Sequence, residues 1–379
     1  MLDFLTPILG TDSLIVGTLI PFLIVLTVVV FVHEMGHYLV GRWCGIGVNA
    51  FSIGFGPELI GFNDRHGTRW KLCAIPLGGY VKFVGDMNAT STPVAEEIDK
   101  LSVQEQRVAF HTQPVWKRAL TVLAGPMFNF MLTIAVFAVF FAVYGRMVAE
   151  PMVAEVRADS PAAAAGFEPG DRFVSVNGNR VETFSDVQRL VSGRTGDPLT
   201  FKMLRDDREV ELHATPELME QEDALGNKIK VGVIGVVNSA ELGQPRVIEY
   251  SVPGALGEAV VQTGYQLERT WSFLARFASG REDKCQLGGP VKIAQMSGQA
   301  AKVGFEVVVQ LIAALSLGIG FLNLLPIPPL DGGHLVFYAV EAVIGRPVSE
   351  RAMEMVYRIG FALVLGFMGF VFWNDLFGC

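Results

Sequence analysis

Four stretches of the chain are apolar for long enough to matter to a bilayer: about residues 14–40, 119–145, 307–330 and 359–374. From Ser13 to Val32 no residue is charged, which reads as a membrane-spanning helix, while the last run is at the short limit for a span. Between the second and third runs the period changes. Met152–Val156, Asp171–Asn177, Thr200–Leu204, Glu209–His213 and Lys230–Val237 alternate as strands do, with turn residues between them. Two short helices are predicted among them, Pro161–Ala165 closed by Gly166, and Ser185–Val191 begun by a Ser cap. Residues 254–303 have the helical period and are amphipathic, with Trp271, Phe273 and Phe277 available to sit at a membrane surface.

Residues 45–86 are unusual for a connection. Phe51–Pro57 and Trp70–Val81 are apolar, β-prone and punctuated by glycine, so they predict strands in one or two hairpins with the turn near Asn63–Gly67. Strand-like backbone is tolerated at membrane depth only against protein or a wet cavity. Residues 88–114 are polar and mixed in charge, a surface loop with a short helix. The pattern predicts a polytopic α-helical membrane protein of about four spans, with a membrane-associated β element and an inserted extramembrane domain. Its parts are residues 1–145, 151–237, 238–303 and 304–379.

Composition agrees, with 51% apolar residues among 379 and a positive mean hydropathy. The net charge of −8 is spread along the chain and suggests no nucleic-acid partner. Four cysteines without a CxxC spacing offer neither a thiolate zinc site nor a disulfide framework. No basic segment precedes the first apolar run and no small-residue cleavage site follows it, so it reads as retained. Basic residues bracket the runs on one side: Arg42, Lys117 and Arg118, then Arg346, Arg351 and Arg358. The positive-inside bias places these in the cytoplasm, with both termini and the large polar region outside.

The chemistry sits where it is costly. His33-Glu34-Met35-Gly36-His37 closes the first apolar run. Histidines at i and i+4 share a helix face and can ligate one metal, with the glutamate beside them as a base. A zinc with one open position needs a third protein ligand. The best candidate is Asp331, which ends the third run in Asn323-Leu324-Leu325-Pro326-Ile327-Pro328-Pro329-Leu330-Asp331-Gly332-Gly333-His334. Three prolines break the helix there, and the two glycines permit close backbone approach. Asn323 could donate to a developing oxyanion, and His334 reads as a neighbour of the ligands rather than as one of them.

HEMGH, Gly54–Pro57, Pro76–Lys82, Gly125–Phe130, Gly289-Pro290 and Asn323–His334, in that order, resemble the bacterial site-2 protease family of intramembrane zinc metalloproteases over nearly the whole chain. The resemblance implies His33, His37 and Asp331 as Zn2+ ligands, Glu34 as catalytic acid/base and Asn323 as an active-site residue. It implies a PDZ domain facing the periplasm at 151–237 and a membrane-reentrant β element at 51–83. Pro151–Val156 lacks the glycine pair with which many PDZ domains expose backbone N–H groups to a peptide carboxylate. The implied partners are the lipid bilayer and single-span membrane proteins, such as anti-sigma factors or remnant signal peptides. The implied setting is regulated intramembrane proteolysis in the bacterial inner membrane, with the active site toward the cytoplasm. Two other classes compete: a membrane-tethered PDZ scaffold with an incidental HExxH, and an ion or metal transporter using the same polar residues.

Overall fold

The computed structural model describes residues 15–85, 101–148, 150–222, 228–238, 246–280 and 287–378. The N-terminal tail, most of the 88–114 loop before its short helix Val103–Val108, and Cys285 lie outside them or at their edge. The chain divides into two compact units, Met1–Phe137 with Leu287–Cys379, and Ala138–Gln286.

Among the described residues of both units, four helices are long and apolar enough to cross a membrane: Val16–Trp43, Val115–Tyr144, Phe305–Asn323 and Arg351–Phe377. They coincide with the four apolar runs, with two differences. The third helix stops at Asn323 instead of continuing to residue 330. Pro326, Pro328 and Pro329 cannot donate a backbone hydrogen bond and clash with the preceding turn, so the chain is irregular until a new helix, Asp331–Ile344, begins at Asp331 itself. The sequence reading broke the helix at the three prolines and did not include the new one. The fourth helix, expected to be short, spans Glu350–Trp373. Its first turns carry Arg351, Glu354 and Arg358, which precede the apolar run but already belong to the helix.

The second and third spans are joined by polar bonds and by close approach. Thr133 Oγ1 donates to the Ala313 carbonyl at 2.9 Å and Ser316 Oγ to the Asn129 carbonyl at 3.0 Å. The first span adds Val25 and Val29, which pack with Ile312 in one apolar cluster. Small and hydroxylated residues suit such contacts because lipid supplies no hydrophobic drive between helices.

Strands Val48–Asn63 and Arg69–Phe83 form a single hairpin folded back on itself. Val48–Ile53 pairs with Gly79–Phe83 and also lies beside Arg69–Leu72, which pairs in turn with Ile60–Asn63. Two strands thereby make a sheet four rows wide. The bends include Gly54 and Gly78, at φ of +86° and +139°, which a side chain would resist. One end of the sheet is core: Phe51 is 1% exposed, stacks on Trp70 with ring centres 4.4 Å apart, and packs with Tyr38 of the first span. Elsewhere the sheet carries Leu59, Ile60 and Leu77 as exposed apolar side chains, and Phe62, also exposed, stacks on the outer side of Trp70. The turn is pinned by Asp64. Its carboxylate accepts from His66 and Thr68 backbone N–H at 2.8 and 2.9 Å, from the Tyr38 hydroxyl at 2.9 Å and from Trp70 Nε1 at 3.1 Å. Burial opposes its charge, but the Trp70, Thr68, Tyr38 and His66 hydrogen bonds outweigh that and hold the carboxyl well below the usual range.

In the second unit, strands Arg172–Val176, Asn179–Arg180, Leu199–Arg205 and Arg208–Ala214 form one sheet around a core that includes Phe173, Phe201 and Met203. Helix Pro161–Ala165 falls where the sequence placed it. The next helix, Phe184–Ser192, is capped by Thr183 in a reciprocal box with Asp186 rather than by a serine. The strand expected at Lys230–Val237 is broken into Lys228–Val233, paired with Glu217–Glu222, and Val236–Asn238, paired with Val153–Val156. Gly232 and Gly235 line a cleft between this broken strand and the Phe184–Ser192 helix, beside Arg157 and Arg269. Helix Val252–Ala278 is tied to this unit by Arg276, which donates to the carbonyls of Gly193 and Thr195 at 2.7 and 3.0 Å.

Candidate metal centre

His33 and His37 stand one turn apart near the end of the Ile20–Trp43 helix, each 8% exposed, with their Nε2 atoms 3.1 Å apart. Asp331 reaches the same point from the start of its own helix. Its Oδ2 lies 3.1 Å from His33 Nε2 and 3.5 Å from His37 Nε2. Ligand atoms about 2.0–2.2 Å from a tetrahedral zinc stand roughly 3.3–3.6 Å from one another, so three such atoms suit that ion and leave one position to water or substrate. The donors themselves argue for a cation. Asp331 Oδ2 is buried without a hydrogen-bond partner among the described residues, and two imidazole nitrogens face each other beside it. Such a cluster is costly unless positive charge draws it together.

Each histidine is oriented from behind. His37 Nδ1–H donates to the Thr121 carbonyl at 2.9 Å, which leaves the Nε2 lone pair facing the cluster. His33 Nδ1 lies 3.2 Å from the side-chain amide of Asn129, a fully buried residue of the second span. The atom facing Nδ1 is Asn129 Nδ2, while Oδ1 is buried without a partner among the described residues. With His33 Nε2 turned to a cation, Nδ1 carries the hydrogen, and turning the amide over presents that oxygen as its acceptor. The second span can pass this close only because residue 125 is glycine. A Cβ there would fall 2.3 Å from His37 Nε2 and 2.9 Å from His33 Cε1. Gly332 acts likewise for Asp331, since a Cβ would meet the Leu325 carbonyl oxygen at 2.2 Å.

Glu34 lies between the cluster and the sheet. The Val81 backbone N–H is a partner of its carboxylate, and a Cβ on Gly79 would come within 3.1 Å of its Cγ. Asn323 is the half-buried last residue of the third span, and among the described residues its side chain makes no recorded hydrogen bond to the cluster. His334 is engaged by the Tyr357 hydroxyl, 2.8 Å from its Nδ1, and stands outside the ligand cluster.

The family model for peptidase family M50 matches residues 21–367, from the first span to the fourth. This chain belongs to peptidase family M50. It is similar to proteins whose names class them as zinc metalloproteases in Mesorhizobium japonicum (77% identity, 96% of this chain and 99% of the relative) and in Brucella suis (64% identity, all of both chains). It is also similar to Metalloprotease MmpA of Caulobacter vibrioides, at 41% identity over 94% of this chain and 95% of that one. Part of the chain resembles the crystal structure of the PDZ domain of the SdrC-like protein from Listeria monocytogenes, at 20% identity, 24% of this chain, 88% of that chain and a TM-score of 0.20. As an M50 member the protein is a zinc metalloprotease, and its four apolar helices make it a membrane protein.

Gly125 and Asn129 entered the sequence reading only as members of the Gly125–Phe130 motif, with no part assigned in this M50 site, and Thr121 did not enter it. A signal for Asn129 was present, because a lone amide inside the apolar run 119–145 needs a buried partner. The Thr121 contribution is a backbone carbonyl, to which residue identity is blind.

Proposed function

We propose that this M50 protein is an intramembrane endopeptidase that cleaves a peptide bond within or near the transmembrane segment of single-span membrane proteins, anti-sigma factors and remnant signal peptides among them. Within the family the order of motifs resembles that of the regulator of sigma-E protease. The observation that carries the reading is the convergence of His33 Nε2, His37 Nε2 and Asp331 Oδ2 to 3.1–3.5 Å at the end of an apolar span, with Glu34 alongside.

His33, His37 and Asp331 would hold the zinc, which would supply Lewis-acid polarisation of a carbonyl and activation of water. Glu34 takes the proton of the attacking water and returns it to the leaving nitrogen as the C–N bond breaks. Thr121 and Asn129 keep the imidazoles in the tautomer that presents Nε2. A helical substrate hides its backbone and must be unwound. The Gly79–Phe83 row of the folded hairpin, an outer row of the sheet beside Glu34, offers backbone groups on which an extended strand could pair. Asn323, at the same depth as the start of the Pro-rich turn, serves substrate or oxyanion rather than metal. The basic loops orient the site toward the cytoplasm of a bacterial inner membrane and residues 151–237, read as a PDZ domain, toward the periplasm, where they regulate access.

The test is quantitative membrane proteomics of cells carrying the wild type or Glu34→Gln. Single-span fragments should accumulate in the mutant and disappear on complementation. Indistinguishable membrane proteomes, with the variant expressed and zinc-loaded, would overturn the proteolytic assignment.

A further inference from the structure

Asp331 is the one member of the metal cluster that does not come from the first span, so its position depends on what fixes its helix. That helix, Asp331–Ile344, follows an irregular Pro-rich turn and ends at Gly345 with exposed apolar side chains, Val343 and Ile344, in its last turn. Besides the His334–Tyr357 hydrogen bond to the fourth span, an ion pair ties it to the second span. Glu341 receives both terminal nitrogens of Arg118, at 2.6 and 3.2 Å, across 223 residues of sequence. Both side chains are largely buried, at 10% and 15% exposure. Arg118 also donates Nε–H to the Gln113 carbonyl at 3.0 Å and lies over the Tyr338 ring, 5.1 Å from its centre, so it grips the helix through two residues at i and i+3. Arg118 stands one turn before Thr121, whose carbonyl orients His37. One helix turn therefore carries both the anchor for the Asp331 helix and the acceptor for a ligand histidine.

We infer that the Arg118–Glu341 pair is a positioning device for the metal centre: it sets the Asp331 helix against the second span so that the third ligand meets the two histidines. The inference rests on the zinc-site reading above. A planar guanidinium in a two-pronged grip specifies orientation as well as distance, which a lysine in its place does not reproduce. A buried charge left without its partner is strongly destabilising, so the pair resists separation. Surface pairs behave differently. Arg358–Glu354, at 78% and 63% exposure on the fourth span, has no such role and serves as a control.

Zinc affinity of the purified full-length protein, measured by competition with a chelator of known strength, tests this. Glu341→Gln and Arg118→Lys should each weaken zinc binding on the order of tenfold, within the roughly 10- to 100-fold range for residues that orient metal ligands. Glu354→Gln should leave it unchanged. The reversed pair, Arg118→Glu with Glu341→Arg, should recover affinity relative to either reversal alone. The deciding readout is a double-mutant cycle. In an Asp331→Ala background, which does not retain zinc through purification but whose two imidazoles still bind added zinc weakly, titration with zinc should show that Glu341→Gln costs no further affinity, since its effect passes through Asp331. The same tenfold loss in both backgrounds, or unchanged affinity in the folded single variants, would overturn the inference. If a single variant fails to fold, the reversed pair decides by itself, and wild-type stability with weakened zinc in that pair would also overturn it. Absence of stoichiometric zinc in the wild type would instead reject the metal-site reading beneath it.

Discussion

At the scale of the residue, the cluster separates holding a metal from using it. Asp331→Ala leaves two imidazoles, too few to retain a catalytic zinc, so elemental analysis of the purified variant should show lost metal together with lost cleavage. Glu34→Gln keeps size and both histidines, and should retain zinc while cleavage of a model substrate falls about a hundredfold or more. Gly125 is a stricter position than either. Any Cβ there intrudes to 2.3 Å from His37 Nε2, so even Gly125→Ala should reduce zinc content. Asn129→Leu removes the amide behind His33 at similar volume and should weaken zinc by roughly 10- to 100-fold without unfolding the protein. Normal metal content in that variant, by chelator competition, would remove Asn129 from the support of His33.

The element that couples sheet to span is the turn at Asp64. The Asp64 carboxyl is held below its usual pKa by hydrogen bonds that its charged form accepts, outweighing burial. A depressed folded-state pKa contributes stability above the ordinary carboxylate value of about 3.9 and loses it as pH falls below that toward the lowered value. Asp64→Asn should lower the melting temperature at pH 7 and narrow the gap to wild type as pH falls below about 4. Parallel melting curves across pH 3–7 would show that the turn takes no stability from this charge. The sheet also illustrates what strand patterning leaves open. Alternation and glycine marked Phe51–Val81 as β structure, but which rows pair was decided by bends at glycine and by the Phe51–Trp70 stack.

Across the whole molecule, chemistry and the second compact unit have separate cores. The cluster of His33, His37 and Asp331 belongs to the unit of residues 1–137 and 287–379, whereas Phe201, fully buried, belongs to that of 138–286. Phe201→Ala in the full chain should destabilise its own unit by about 3–5 kcal/mol, read as an earlier unfolding transition, and leave zinc content unchanged. Concurrent loss of zinc would show that the two units unfold as one.

The sequence by itself determined the four spans, the helix face shared by His33 and His37, and the candidacy of Asp331, because each follows from spacing or composition within a few dozen residues. The HExxH period places two imidazoles on one face whatever surrounds them. An acidic residue after three prolines at the end of an apolar run is costly enough to be noticed. Tertiary structure decided the rest. The Thr121 carbonyl behind His37, the Asn129 amide behind His33 and the Arg118–Glu341 clamp join residues 84, 96 and 223 apart, and no local period encodes such pairings. The broken strand at Ile234-Gly235 and the helix that begins at Asp331 were likewise hidden. A strand divides where its two halves find different partners. A helix restarts after the prolines where local turns, Ile327 N–H to the Leu325 carbonyl and Leu330 N–H to the Ile327 carbonyl, have satisfied the backbone between.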